Sequence, residues 1–298
     1  MKYAILNFAL LGLCVALPAG AAETRVDRSV AADPHGSVSI SNVAGRVEVQ
    51  GWDRPEVQVT GTLGSGVERL DLLKDGSNTV VKVILPHLNL SGDSGQANLV
   101  VHVPTASRTE VSTVSADLSV HALQGVQSLR TVSGDIATDL AAMECEIKTV
   151  SGDLTVRGVA QAAPLRVSTV SGDLRLSRAA GAVEIVTVSG DLALEVKPMS
   201  SLRVRTTSGD IHIDAHATRD AKLDVETVSG DVILRAASDA GFATEVNSFS
   251  GDISTCFGVR SERNSEYGPG TRLRTKVGAG SAAIRVKTLS GDVSVCDK

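Results

Sequence analysis

Thr149-Val150-Ser151-Gly152-Asp153-Leu154-Thr155-Val156 is followed 20 residues later by Thr169-Val170-Ser171-Gly172-Asp173-Leu174-Arg175-Leu176, and 18 residues after that by Thr187-Val188-Ser189-Gly190-Asp191-Leu192. Anchoring every such unit on its Asp gives Asp117, Asp135, Asp153, Asp173, Asp191, Asp210, Asp231, Asp252 and Asp292, most of them 18 to 21 residues apart. Self-similarity at this period marks a solenoid, in which a unit buries its apolar side only by stacking on its neighbours. The expected fold is therefore all-β, a single-stack β-solenoid (β-helix-like) of about nine rungs of 18–21 residues.

Aligned on the Asp, each offset forms a column. Six residues before it stand Val111, Leu129, Ile147, Val167, Ile185, Val204, Val225, Val246 and Val286. One and three residues after it stand pairs such as Leu118/Val120, Leu154/Val156 and Ile211/Ile213. Two short strands thus flank a Ser-Gly-Asp corner. Four residues before the Asp the column is Thr, or Ser248 in one unit; three before, it is Val114, Val132, Val150, Val170, Val188, Thr207, Val228, Phe249 and Leu289.

The inside–outside parity changes once per unit, and two placements of that one-residue slip fit. A slip at the glycine points the Thr hydroxyls inward as stacked ladders and leaves Val132, Val150, Val170, Val188, Val228 and Phe249 as an apolar ridge in solvent, a candidate binding surface. A slip at the Thr buries the valines instead.

Outside the repeat, residues 1–22 carry Lys2, an apolar stretch from Ala4 to Leu17 and the small-residue run Pro18-Ala19-Gly20-Ala21-Ala22. This reads as a secretory signal peptide, too short for a membrane span. Leu11-Gly12-Leu13-Cys14 offers a weaker lipoprotein alternative. Residues 23–104, punctuated by Pro55, Pro86 and Pro104, read as an antiparallel β-meander capping the first rung, with Ser91-Gly92-Asp93 as a hairpin turn. Residues 105–298 form the Ser-Gly-Asp solenoid. No membrane insertion after signal cleavage and a periplasmic, cell-surface or secreted location are expected.

The formal net charge is −5 and becomes −6 once Lys2 is removed with the signal. This mild acidity argues against nucleic acid or an anionic membrane as partner. Aromatic residues are only 2% of the chain. A core of Val, Leu, Ile and Ala suits narrow stacked rungs.

The opening Val38-Ser-Ile-Ser-Asn-Val-Ala-Gly45-Arg-Val-Glu-Val-Gln-Gly-Trp52-Asp53, followed by Thr-Val-Ser-Gly-Asp units, resembles the bacterial putative-adhesin family of β-strand-repeat proteins, a domain of unknown function. The resemblance covers almost the whole mature chain. It implies an exported β-solenoid and supplies no catalytic residues. Ala116 departs from the pattern where the other units have Gly; a left-handed corner there would cost about 1 kcal/mol.

Nine aspartates stacked at about 4.8 Å repel by roughly 0.9 kcal/mol per neighbouring pair in a water-like dielectric. The simplest offset is a backbone N–H at each carboxylate's own turn. A sharper one is Ca²⁺ between rungs, which needs six to eight oxygens. A carbohydrate-active β-helix enzyme is a further alternative, but equivalent repeat carboxylates make a poor acid/base pair. The one sizeable irregular stretch, residues 259–271 with Arg260, Glu262, Arg263, Glu266 and Tyr267, reads as a solvated hairpin tip. His212, Asp214 and His216 make a weak zinc set. The expected role is non-enzymatic and cofactor-free: a rod presenting ladders to a protein or glycan partner, with self-association as a further option.

Three cysteines remain after signal removal. Cys145 shares the inward parity of Ile147 and reads as a buried free thiol. Cys256 and Cys296 each lie four residues after their Asp and face outward. If residues 259–271 leave the stack as a hairpin, the two occupy adjacent rungs within disulfide range; if two full rungs separate them, at about 10 Å, no bridge forms. The missing Thr-Val-Ser-Gly-Asp unit in this segment favours the bridge, which would staple the last rung.

Overall fold

The computed structural model describes residues 23–86, 95–140, 143–159, 161–263 and 269–297. The proposed signal segment and Ser91-Gly92-Asp93 lie outside the described residues. Among those described there are strands and no helix. The chain is all-β and its repeat is β-solenoid-like.

The strands are β1 (Thr24–Ala31), β2 (Ser37–Trp52), β3 (Glu56–Leu63), β4 (Arg69–Asp75), β5 (Asn78–Ile84), β6 (Gln96–Pro104), β7 (Arg108–His121), β8 (Gln127–Arg130), β9 (Ile136–Asp139), β10 (Cys145–Lys148) and β11 (Leu154–Arg157). They continue with β12 (Leu165–Ser168), β13 (Leu174–Val186), β14 (Leu192–Arg205), β15 (Ile211–Ser229), β16 (Val232–Ala237), β17 (Gly241–Ser250), β18 (Ile253–Thr255), β19 (Glu262–Arg263), β20 (Thr271–Gly278), β21 (Ala282–Ser290) and β22 (Val293–Cys296).

From β7 onward successive units pair in parallel and in register: Leu129 opposes Val111 and Ile147, and Leu174 opposes Leu154 and Leu192. Like residues therefore stack on like. Every residue of the column from Val111 to Val286 is at most 1% exposed. Continuous burial of β-branched and Leu side chains along the stack is the main source of stability.

The antiparallel reading of residues 23–104 is corrected in part. β3 and β6, β1 and β3, and β4 and β5 do pair antiparallel. β2, however, lies parallel to β7 along its length, and on its other side parallel to β5 and then β6. It is a level of the stack whose corner, Asn42-Val43-Ala44-Gly45-Arg46, lacks the Ser-Gly-Asp letters. Asn42 opposes Thr113, Gly45 opposes Ala116 and Arg46 opposes Asp117. Asn42 also does what the repeat Thr does, donating to the carbonyl two residues on, Ala44 O at 3.0 Å.

At the other end, chain order and stacking order part. β15 and β16 pair in parallel with β21 and β22, and these pair with β17 and β18. The last segment of the chain is inserted between two earlier ones. The outermost level is that of Asp252, not that of Asp292 as chain order implies, and antiparallel β20 covers the β17 edge. The two ends are built alike, because β2 is held between β5/β6 outside and β7 inside. In both cases an antiparallel strand blunts an edge open to another chain.

Candidate functional site

The corner positions two outward columns side by side. In the repeat units with glycine, such as the one at Gly152, this residue adopts φ +119°, and an added Cβ would lie 2.3 Å from Gly134 O of the level below. Only glycine permits both that dihedral and that approach. Ala116 needs neither: it is not in the left-handed region, and its methyl is fully buried.

The slip sits at this glycine. The Thr column, from Thr113 to Thr288, is buried, while Val114, Val132, Val150, Val170, Val188, Val228, Leu289 and Phe249 are 45–54% exposed. The result is an apolar ridge interrupted only by Thr207 and running roughly 40 Å at about 4.8 Å per level. The threonines do not form a hydroxyl-to-hydroxyl ladder. From Thr131 on, each donates to the Ser carbonyl of its own corner, Thr131 to Ser133 O at 2.9 Å and Thr169 to Ser171 O at 3.1 Å, and likewise for Thr149, Thr187, Thr206, Thr227 and Thr288, whereas Thr113 donates to Ala116 O at 3.4 Å.

The aspartates do the reverse. After Asp117, the amide of each Asp donates not to a carboxylate of its own turn but to Oδ1 of the Asp one level away, at 2.8–3.2 Å, through the sequence Asp117, Asp135, Asp153, Asp173, Asp191, Asp210, Asp231, Asp292, Asp252. A hydrogen bond from an amide to a charged acceptor is stabilising and acts against the repulsion between neighbouring carboxylates. At one end Arg46 approaches Asp117 at 3.9 Å. Sequence reasoning missed that partner because nothing in the letters places residue 46 in the Asp column.

Cys256 and Cys296 form a disulfide with Cα atoms 5.0 Å apart, joining the β18 and β22 levels. It ties the outermost level to its inner neighbour. Cys145 is free and buried, its thiol pushed up to about 12 mainly by burial. His212, Asp214 and His216 all lie on β15, but Asp214 is engaged by Lys197 and His216 faces Asp239 at 3.4 Å. Among the described residues no His, Cys, Asp or Glu cluster is arranged to hold a metal. No helix there is long and apolar enough to cross a membrane.

The Toastrack DUF4097 family profile matches residues 30–198 and 74–296. The chain belongs to the Toastrack family. Comparison with curated proteins finds no match. Among solved structures, this Toastrack chain is similar to a "putative lipid binding protein" from Parabacteroides distasonis at 10% identity, covering 91% of this chain and 96% of that one, TM-score 0.46. A "putative adhesin" from the same species matches at 10% identity over 92% and 98% of the two chains, TM-score 0.43. Another from Bacteroides fragilis matches at 10% over 92% and 98%, TM-score 0.39.

Proposed function

We propose that this Toastrack protein is an exported, non-enzymatic rod of nine aspartate-bearing levels, acting as an adhesin or envelope scaffold that presents its ridge and aspartate ladder to a protein or glycan partner. The exposed valine ridge carries this reading. A folded chain does not ordinarily leave a line of Val, Leu and Phe, broken only at Thr207, half exposed unless something covers it. Export is supported by the disulfide, which persists in oxidising compartments. The non-enzymatic reading is supported by the equivalence of the aspartates, whose carboxylates, short of the outermost Asp252, are each tied to a neighbouring amide in the same way.

The test replaces Val150, Val170 and Val188 together with Lys. Mature wild-type and variant protein are compared in capture from envelope extract and on a glycan panel. The variant is expected to keep its β circular-dichroism spectrum and lose what the wild type binds. Unchanged binding by folded variant would remove the ridge as the functional surface.

A further inference from the structure

Away from the ridge, on the sheet preceding the corner, outward charges are matched. Arg130 pairs with Glu110 and Glu146, Lys148 with Glu146, Arg166 with Glu184, and Arg205 and Lys287 with Glu226. Where the stacking order inverts, Glu226 and Glu245 are paired but several cations are left over. There an open trough of about 800 Å³ crosses β15, β21, β17 and β20. Lys222 opposes Ala283, Ala283 opposes Ala243 and Ala243 opposes Lys276, so two alanine methyls form a floor between two lysines. Three strand spacings put those lysine positions roughly 14 Å apart. Arg285 stands beside the floor. Among the described residues Lys222, Lys276 and Arg285 are in no ion pair, whereas Glu245 is engaged by Arg272 and Arg274. The other carboxylate of the lining, Asp224, is the register partner of Arg285, so the trough holds five cationic side chains, Arg203, Lys222, Arg274, Lys276 and Arg285, against two carboxylates. In a chain of net charge −5 this is a local excess of positive charge.

We propose that the trough binds an acidic polysaccharide of the uronic-acid class, its carboxylates engaging Lys222, Arg285 and Lys276 while the sugar chain lies across the alanine floor. The spacing of the cations calls for an extended polyanion rather than a single small anion. Leu223 and Ile284 seal the core beneath at 1–2% exposure, leaving no slot for an acyl chain. Among the described residues no aromatic side chain lines the trough, and none offers a platform for stacking nucleobases. The proposal goes beyond the ridge and stands on a different face.

Fluorescently labelled oligogalacturonate titrated against the purified chain tests it by anisotropy. Binding is expected for the acid and not for the fully methyl-esterified chain, and it should weaken with added salt. Lys222→Glu, Lys276→Glu and Arg285→Glu should each weaken it by about fivefold, the scale of one exposed ion pair. Lys74→Glu at the other end, and the triple valine-to-lysine ridge variant, should leave it unchanged, which separates this site from the ridge. Equal binding of the ester, indifference to the three charge reversals, or equal affinity for single-stranded DNA or phosphatidylglycerol vesicles would overturn the proposal.

Discussion

The amide of Asp252 donates to Oδ1 of Asp292 at 2.8 Å, and the amide of Asp292 donates to Oδ1 of Asp231 at the same distance, although Asp252 precedes Asp292 by 40 residues. The final segment of the chain has thus entered the stack from the side. Parallel levels carry the same residue in the same column, so a wedge of this kind keeps every apolar contact and every ladder bond in place.

Engineered cysteines at outward positions report this order. Ile233 and Ser294 are register partners on neighbouring strands, whereas Ile233 and Ser254 are separated by β22. The pair Ile233→Cys with Ser294→Cys is expected to form a bridge on mild oxidation. Ile233→Cys with Ser254→Cys, at about 10 Å, is not. Peptide mapping without reductant reads both, and the opposite pattern would mean that the levels stack in chain order.

The corner makes a second prediction. Gly152→Ala puts a methyl 2.3 Å from Gly134 O at φ +119° and is expected to cost more than about 2 kcal/mol in chemical denaturation. Ala116→Gly, at a corner outside the left-handed region, is expected to cost only about 0.5–1 kcal/mol through backbone entropy. Equal costs at the two positions would mean that the corner does not require glycine.

Much of this architecture is legible in the letters, because a period-2 strand must bury one parity, and the columns of Val111 and Leu118 state which one. The ridge is legible only as one of two options: alternation alone cannot say whether the slip falls at Thr149 or Gly152, and the carbonyl of Gly134 pressing on the glycine decides it. The level formed by β2 is hidden because Asn42 replaces Thr and Arg46 replaces Asp, substitutions that conserve geometry and not identity. The order of the last two levels is illegible for a different reason. Identical columns make either order equally well packed, so the choice rests on the connections. The trough lies in the same blind spot, since Lys222 and Lys276 become neighbours of the alanine pair only through that order.

The cysteines give a third prediction. Peptide mapping of non-reduced protein from an oxidising compartment is expected to find Cys256 linked to Cys296. Cys145, 1% exposed with its thiol raised to about 12, is expected to resist alkylation until the chain unfolds. Replacing both bridged cysteines with Ser should lower stability by about 2–4 kcal/mol, the scale for a 40-residue loop. Alkylation of Cys145 in the native protein at the rate of an exposed thiol would show that the stack opens at β10.

Acid should loosen the outer end of the rod before its middle. Glu245 on β17 accepts hydrogen bonds from Arg272 and Arg274, both on β20, and these guanidinium groups hold its carboxyl down at about 2 from an ordinary 4.5. Because the folded value is depressed, the stabilisation from this clamp is complete above about pH 4.5 and is lost as the pH falls toward 2. β20 is the antiparallel strand covering the β17 edge, so protonation frees the cover of the outermost level. Hydrogen exchange of β20 amides is expected to accelerate between pH 4.5 and 2 relative to those of β10, after correction for intrinsic rates. In Glu245→Gln the same amides should already exchange faster at pH 6, with a smaller further change on acidification. An identical pH dependence in wild type and variant would assign the acid sensitivity to other carboxylates and leave Glu245 without a role in closing the edge.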